Sequence, residues 1–119
     1  MKFMLLIHQG TAATPRSPED WARLSEAEQQ AVYAGYMEIN QTPGVTPGQE
    51  LASPETAVTV RVEAGETLTT DGPFVETKEA LGGYFFFEAD DFDAAVALAS
   101  RVPAAGMGGA VEVRPIVER

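Results

Sequence analysis

Residues 83–103 read GYFFFEADDFDAAVALASRVP, and the change of period inside this stretch decides the fold. From Gly83 to Ala89 both alternating faces are apolar, Phe85 and Phe87 on one, Tyr84 and Phe86 on the other. That pattern predicts a strand covered on both sides. Asp90 or Asp91 then caps a helix running to about Arg101, with Phe92, Val96 and Ala99 expected on its buried side. Val102-Pro103 stops the helix, and a Gly/Ala-rich connection leads to a last strand, AVEVRPIV, residues 110–117. Strand, helix and strand make one β-α-β half of a domain.

The N-terminal half repeats the plan. MKFMLLIH, residues 1–8, reads as a first strand, again apolar on both faces: Phe3, Leu5 and Ile7 against Met4 and Leu6. A loop of small residues and prolines follows. Ser17-Pro18-Glu19-Asp20 then starts a short helical segment, with a capping serine and proline in the first turn. Ser25 and Glu28 form a capping box for a longer helix from about Glu26 to Asn40, whose Val32, Gly35, Tyr36 and Ile39 share one face. Residues 42–55, TPGVTPGQELASPE, are irregular by composition, with a short strand expected near Gln49 to Ala52. Val58, Val60 and Val62 alternate with Thr59, Arg61 and Glu63 before Ala64-Gly65 turns the chain into Thr67 to Thr70, a hairpin signal.

The resulting order predicts a single α+β domain over residues 1–119. It is a ferredoxin-like, mainly antiparallel sheet with two helices on one face and an extra β-hairpin. Two helices cover only one face of such a sheet, yet its strands are apolar on both. A second copy, sheet facing sheet, disposes of the bare face and predicts a dimeric α/β barrel.

Composition narrows the function classes. Eighteen acids against eight Lys and Arg give a net charge of −10, which opposes binding to nucleic acid or an anionic membrane surface. No cysteine is present, so thiol nucleophiles, thiolate metal sites and disulfide frameworks are excluded. The apolar run Phe3 to Ile7 is too short for a leader or a membrane span, and a cytoplasmic location is expected. With one histidine and dispersed carboxylates no metal is expected. GMGG at 106–109 follows a helix rather than linking strand to helix, so it is no phosphate loop, and no cofactor is expected.

The segment between hairpin and aromatic strand, TDGPFVETKEALGGY at 70–84, carries the most distinctive chemistry. Asp71-Gly72-Pro73-Phe74 is a turn by composition. Phe74 is expected to plug the core, residues 76–81 to form a short helical piece with Leu81 inward, and Gly82-Gly83 to return the chain to the sheet. In one reading the loop is a rigid connector. In the other it rims a pocket, with Asp71 and Lys78 as polar groups over an apolar floor of Tyr84 and Phe86.

TDGPFVETKEALGGY and VEVRPI resemble the DGPF-type, YCII-related family of small bacterial proteins. MKFMLLIH, PGQEL, VTVR and SRVPAA extend the resemblance over nearly the whole chain. It implies a ferredoxin-like fold, a dimeric α/β barrel, and an association of members with extracytoplasmic-function sigma factors. Relatives are thought to use a His–Asp pair in a cleft. Asp71 matches the acid, whereas the histidine expected early in the first helix has no counterpart in SPEDWARLSEAEQQ.

His8, closing the first strand on the face of Met4 and Leu6, is either a hydrogen-bonded structural residue or a base oriented by Asp71. Arg114 shares a face with Glu112 and Ile116. It either pairs with Glu112 or Glu88, or holds a ligand carboxylate. Glu28 is explained by its capping box, and Tyr33, Tyr36 and Met37 are assigned to packing. Together these readings predict a homodimer that binds a small molecule in an apolar cleft near the DGPF loop. As an enzyme it would be cofactor-free and use acid/base chemistry, with His8 or Asp71 as base and Arg114 or Lys78 stabilising an anion. The competing reading is a non-catalytic dimeric interaction module, an accessory to a sigma factor.

Overall fold

The computed structural model of the chain describes residues 1–10, 12–14, 18–73 and 81–119. Its elements run β1 (Lys2–His8), α1 (Pro18–Ala22), α2 (Glu26–Gln41), β2 (Val45–Thr46), β3 (Val58–Glu63), β4 (Glu66–Asp71), β5 (Leu81–Glu88), α3 (Phe92–Ala99) and β6 (Ala110–Pro115). Single 3-10 turns occupy Pro54–Thr56 and Pro103–Gly106. The main sheet has four strands in the order β2-β5-β1-β6, every neighbouring pair antiparallel. This is the ferredoxin-like arrangement, with the hairpin inserted between its second and third strands. The sheet of the single chain is open and does not close into a barrel.

Register sorts the apolar residues onto two faces. Phe3 lies opposite Phe87 and Leu5 opposite Phe85, facing the helices. Phe3 and Leu5 are wholly buried there, with Ile39 of α2, Leu98 of α3 and Val102 completing the core. Met4 lies opposite Phe86 and Leu6 opposite Tyr84 on the other face, where all four are half-buried. The two-sided apolar pattern of both strands is therefore real.

Both long helices begin where their caps dictate. The Glu28 amide donates to Ser25 Oγ at 3.1 Å and the Ser25 amide to Glu28 Oε1 at 3.0 Å, a reciprocal box that satisfies two orphan donors. The Ser25 backbone amide, and then its side chain, hold the Glu28 carboxyl below the usual carboxylate range. Asp91 accepts from the Ala94 amide at 2.8 Å to start α3. The serine expected to cap α1, Ser17, lies outside the described residues.

Three local expectations are corrected. α3 ends at Ala99 and buries Ala95, Leu98 and Ala99, while Phe92 and Val96 are 44% and 49% exposed. The Asp91 cap fixes where the helix starts, and packing on the sheet selects Ala95, Leu98 and Ala99, an i, i+3, i+4 stripe, as its buried face. Phe92, in the first turn, reaches Phe3 only edge-on, with ring centroids 5.3 Å apart. The strand expected at 49–52 is instead β2 at Val45–Thr46, followed by an isolated bridge from Glu50 to Gly83. Pro47, which has no amide to donate, interrupts that ladder. Leu81, assigned to a helical piece, is the first residue of β5. The remainder of that piece and the Phe74 plug lie outside the described residues.

The hairpin forms as expected, with Ala64 at φ 50° and Gly65 at φ 80° making its turn, the positive-φ geometry of tight two-residue loops. It does not join the main sheet, and β3 and β4 form a two-stranded sheet of their own. Among the described residues no helix is long and apolar enough to cross a membrane.

Candidate functional site

A cavity of about 310 Å³ opens on the helix-covered side of the sheet. Ile7 and Phe85 form its floor, and Trp21, Tyr33, Tyr36 and Ile39 line its helical side. The segment Pro47–Glu50 closes a third wall against β5. Trp21 is fixed in two ways: its carbonyl accepts from Gln29 Nε2 at 2.8 Å, and its ring meets Tyr33 edge-on, centroids 5.4 Å apart. Tyr33 and Met37, assigned to packing, are 56% and 59% exposed. Tyr33 instead contributes to the cavity lining, while Tyr36 both packs on the core and lines the cavity.

The polar groups in this lining include Gln9, Asn40, Gln49 and Glu50. Among the described residues, Gln9 Oε1 is buried without a hydrogen-bond partner. An unpaired buried carbonyl costs about 1–3 kcal/mol, so the wall of the cavity holds an acceptor whose demand a donor would meet.

The open face of the sheet carries a separate polar cluster. Antiparallel pairing of β1 with β6 sets Leu6 opposite Glu112 and Met4 opposite Arg114. Glu112 Oε1 lies 3.3 Å from His8 Nε2, and its Oε2 accepts from Arg114 Nε at 3.0 Å and from Arg114 Nη2. The Arg114 guanidinium, then the His8 ring, hold the Glu112 carboxyl below its ordinary value. A carboxylate lowered in the folded state stabilises the fold above the ordinary pKa of about 4.5, and that contribution disappears as pH falls through the lowered value. In urea titrations from pH 6 to pH 3, Glu112→Gln is therefore expected to melt earlier than the parent at the upper end. The difference should close toward the lower end.

Of the sequence-predicted site residues, His8, Tyr84, Phe86 and Arg114 stand together on the open face, through strand register. Tyr84 and Phe86 meet edge-on, centroids 5.9 Å apart. Asp71 ends β4 in the separate hairpin sheet, opposite Val58, and is exposed. Lys78 lies outside the described residues. Arg114 pairs with Glu112, one of the two partners weighed for it, while Glu88 Oε1 sits 3.7 Å from the N-terminal amine. Glu112 as the carboxylate beside His8 was not anticipated. Its signal was alternation: Glu112 and His8 share a face once β6 is paired with β1.

The cavity residues Gln9, Trp21 and Tyr33 were not anticipated as a site either. The described residues lining the cavity include Tyr84 but not His8, Phe86 or Arg114. No group of three or more His, Cys, Asp or Glu suited to a metal ion occurs among the described residues.

Comparison with known proteins identifies the family of the chain. An uncharacterized protein of Rhizobium meliloti (strain 1021) is 37% identical over 87 residues, covering 72% of this chain and 68% of the relative. The profile of the YCII-related domain matches residues 1–119, and the chain belongs to that family.

Proposed function

We propose that this YCII-related protein acts as a homodimer that binds a small, mainly apolar molecule in the helix-side cavity. The observation that carries the binding reading is the cavity itself, an aromatic-lined chamber whose wall contains the unpaired Gln9 carbonyl. Ligand sites have this make-up, apolar walls with a few convergent polar groups. At about 310 Å³ it sits near the lower bound for such sites, which favours a ligand of one or two rings bearing a hydroxyl or N–H donor. The homodimer reading is supported by the second apolar face of the sheet, Met4, Leu6, Tyr84 and Phe86, which lies opposite the helix-covered core and which no helix among the described residues covers. Catalysis by His8 or Asp71 is not part of the reading, because neither is among the residues lining the cavity.

Trp21 is the single tryptophan of the chain and lines the cavity, so its emission reports occupancy directly. Titration with phenol, indole and 4-hydroxybenzyl alcohol is expected to shift Trp21 fluorescence for at least one of them. The same compound should raise the melting temperature, since saturation at 100 times Kd adds about 2.7 kcal/mol. Val32→Phe, which places a ring in the lining, should abolish both responses while leaving a folded protein. Silence from every ring-sized donor in both measurements would leave the cavity without a role.

A further inference from the structure

We infer that the β3–β4 hairpin is an arm whose valine face packs on a second copy of this chain, clasping the dimer. The inference rests on the homodimer reading and adds to it. Val58, Val60 and Val62 alternate along β3 and point to one face of the hairpin, and they are 59%, 57% and 67% exposed. A two-stranded hairpin whose residues, Thr59 apart, are all exposed is marginal in water. This one is weakened further at its tip, where Glu63 faces Glu66 across the ladder and like charges repel. A sequence that keeps three valines on one face of such an element has a surface waiting for them.

Among the described residues the main sheet does not supply that surface: β3 and β4 pair only with each other, and the three valines stay more than half exposed. The dimensions agree with an arm. A compact domain of this length has a radius of gyration of about 13.5 Å, whereas this chain measures 16.1 Å, with extents of 51 × 43 × 18 Å.

Area identifies the occupant as another copy. The three full-length strands of the open face lie about 4.8 Å apart and run about 23 Å. They offer a projected footprint of roughly 300 Å²; the relief of the side chains makes its accessible area larger, and a standard stable interface takes about 800 Å² of accessible area per partner. The face alone thus lies at the small end of what holds two chains together. A hairpin of two six-residue strands, about 20 Å long, supplies a second apolar strip. Contributed once from each chain, the two arms extend the contact beyond the sheet.

The test uses the full chain. A 1:1 mixture of isotopically labelled and unlabelled protein, dissociated and reassembled, is examined by isotope-filtered NOE spectroscopy. Contacts from the methyl groups of Val58, Val60 and Val62 to protons of the unlabelled chain are expected. In parallel, V58T/V60T/V62T is expected to weaken self-association at least tenfold in sedimentation equilibrium, with far-UV circular dichroism unchanged. A parent protein that dimerises while those methyls show no intermolecular contact would overturn the arm and leave the dimer standing. A parent that stays monomeric at high micromolar concentration would overturn both.

Discussion

Phe3→Ala is expected to remove about 3–5 kcal/mol of unfolding free energy and to lower the melting temperature by more than about 10 °C. Phe3 is wholly buried, lies opposite Phe87 on the helix side of the sheet, and receives the edge of Phe92. Truncation leaves a cavity between a central strand and α3, where neither neighbour can collapse without breaking strand register or helix cap. Domains hold only about 5–15 kcal/mol in total, so this single change removes a large share. Val96→Ala is the matched comparison. Its side chain is on α3 but 49% exposed, and its loss is expected to stay within about 0.5 kcal/mol. Chemical denaturation of the two variants side by side checks both values. A Phe3→Ala protein as stable as Val96→Ala would mean that the core lies elsewhere.

The contrast between those residues also shows what the sequence could report. Alternation in β1 and β5 is a period-two signal spread over seven and eight residues, so the inward set Phe3, Leu5, Phe85 and Phe87 was readable. The capping box at Ser25 and the acid at Asp91 fixed the helix starts for the same reason: each is a local hydrogen bond between residues three apart. Val96 was misread because α3 is apolar nearly all round, and hydrophobicity then gives no phase. Only the sheet it meets selects the Ala95, Leu98 and Ala99 stripe.

The candidate site was less legible because it is made of long-range contacts. Alternation grouped His8 with Met4 and Leu6, Tyr84 with Phe86, and Arg114 with Glu112 within their own strands, but only the register of β1 with β5 and β6 sets these groups on one face. The partnership of His8 with Glu112 needed the pairing of β1 with β6 across 104 residues of sequence. The cavity needed more still, since Gln9, Trp21, Tyr33 and the Pro47–Glu50 segment converge from separate loops and helices. The hairpin shows the opposite case: its strands and turn were written locally, but its separation from the main sheet was not. Whether a hairpin docks depends on surfaces outside it.

The second large effect is expected at Gly48, where the cavity wall meets the sheet. A Cβ built there would lie 1.9 Å from the Tyr84 carbonyl oxygen and 2.7 Å from its carbon. Those atoms belong to β5, whose Tyr84 is paired with Leu6 of β1 in the interior of the sheet, so they cannot yield. The segment must therefore move. It is held by the Tyr84 amide donating to the Gln49 carbonyl at 3.3 Å and by the Leu51 amide donating to the Gly82 carbonyl at 2.8 Å. Overpacking of this kind costs about 1–3 kcal/mol, and each lost hydrogen bond adds about 0.5–1.5 kcal/mol. Gly48→Ala is thus expected to destabilise the chain by about 3 kcal/mol and to open the cavity, since Gly48, Gln49 and Glu50 form part of its lining. Trp21 emission should move toward that of a hydrated indole, and any ring-sized ligand that binds the parent should lose affinity. Gly106→Ala separates this clash from a general intolerance of alanine, because a Cβ at Gly106 meets nothing within 4 Å. It should be neutral, or stabilising by about 0.4–1 kcal/mol through the unfolded state. If Gly48→Ala instead melts with the parent and keeps the parent's Trp21 spectrum, the Pro47–Glu50 segment does not seal the chamber against β5, and the binding site must be sought on the open face beside His8 and Glu112.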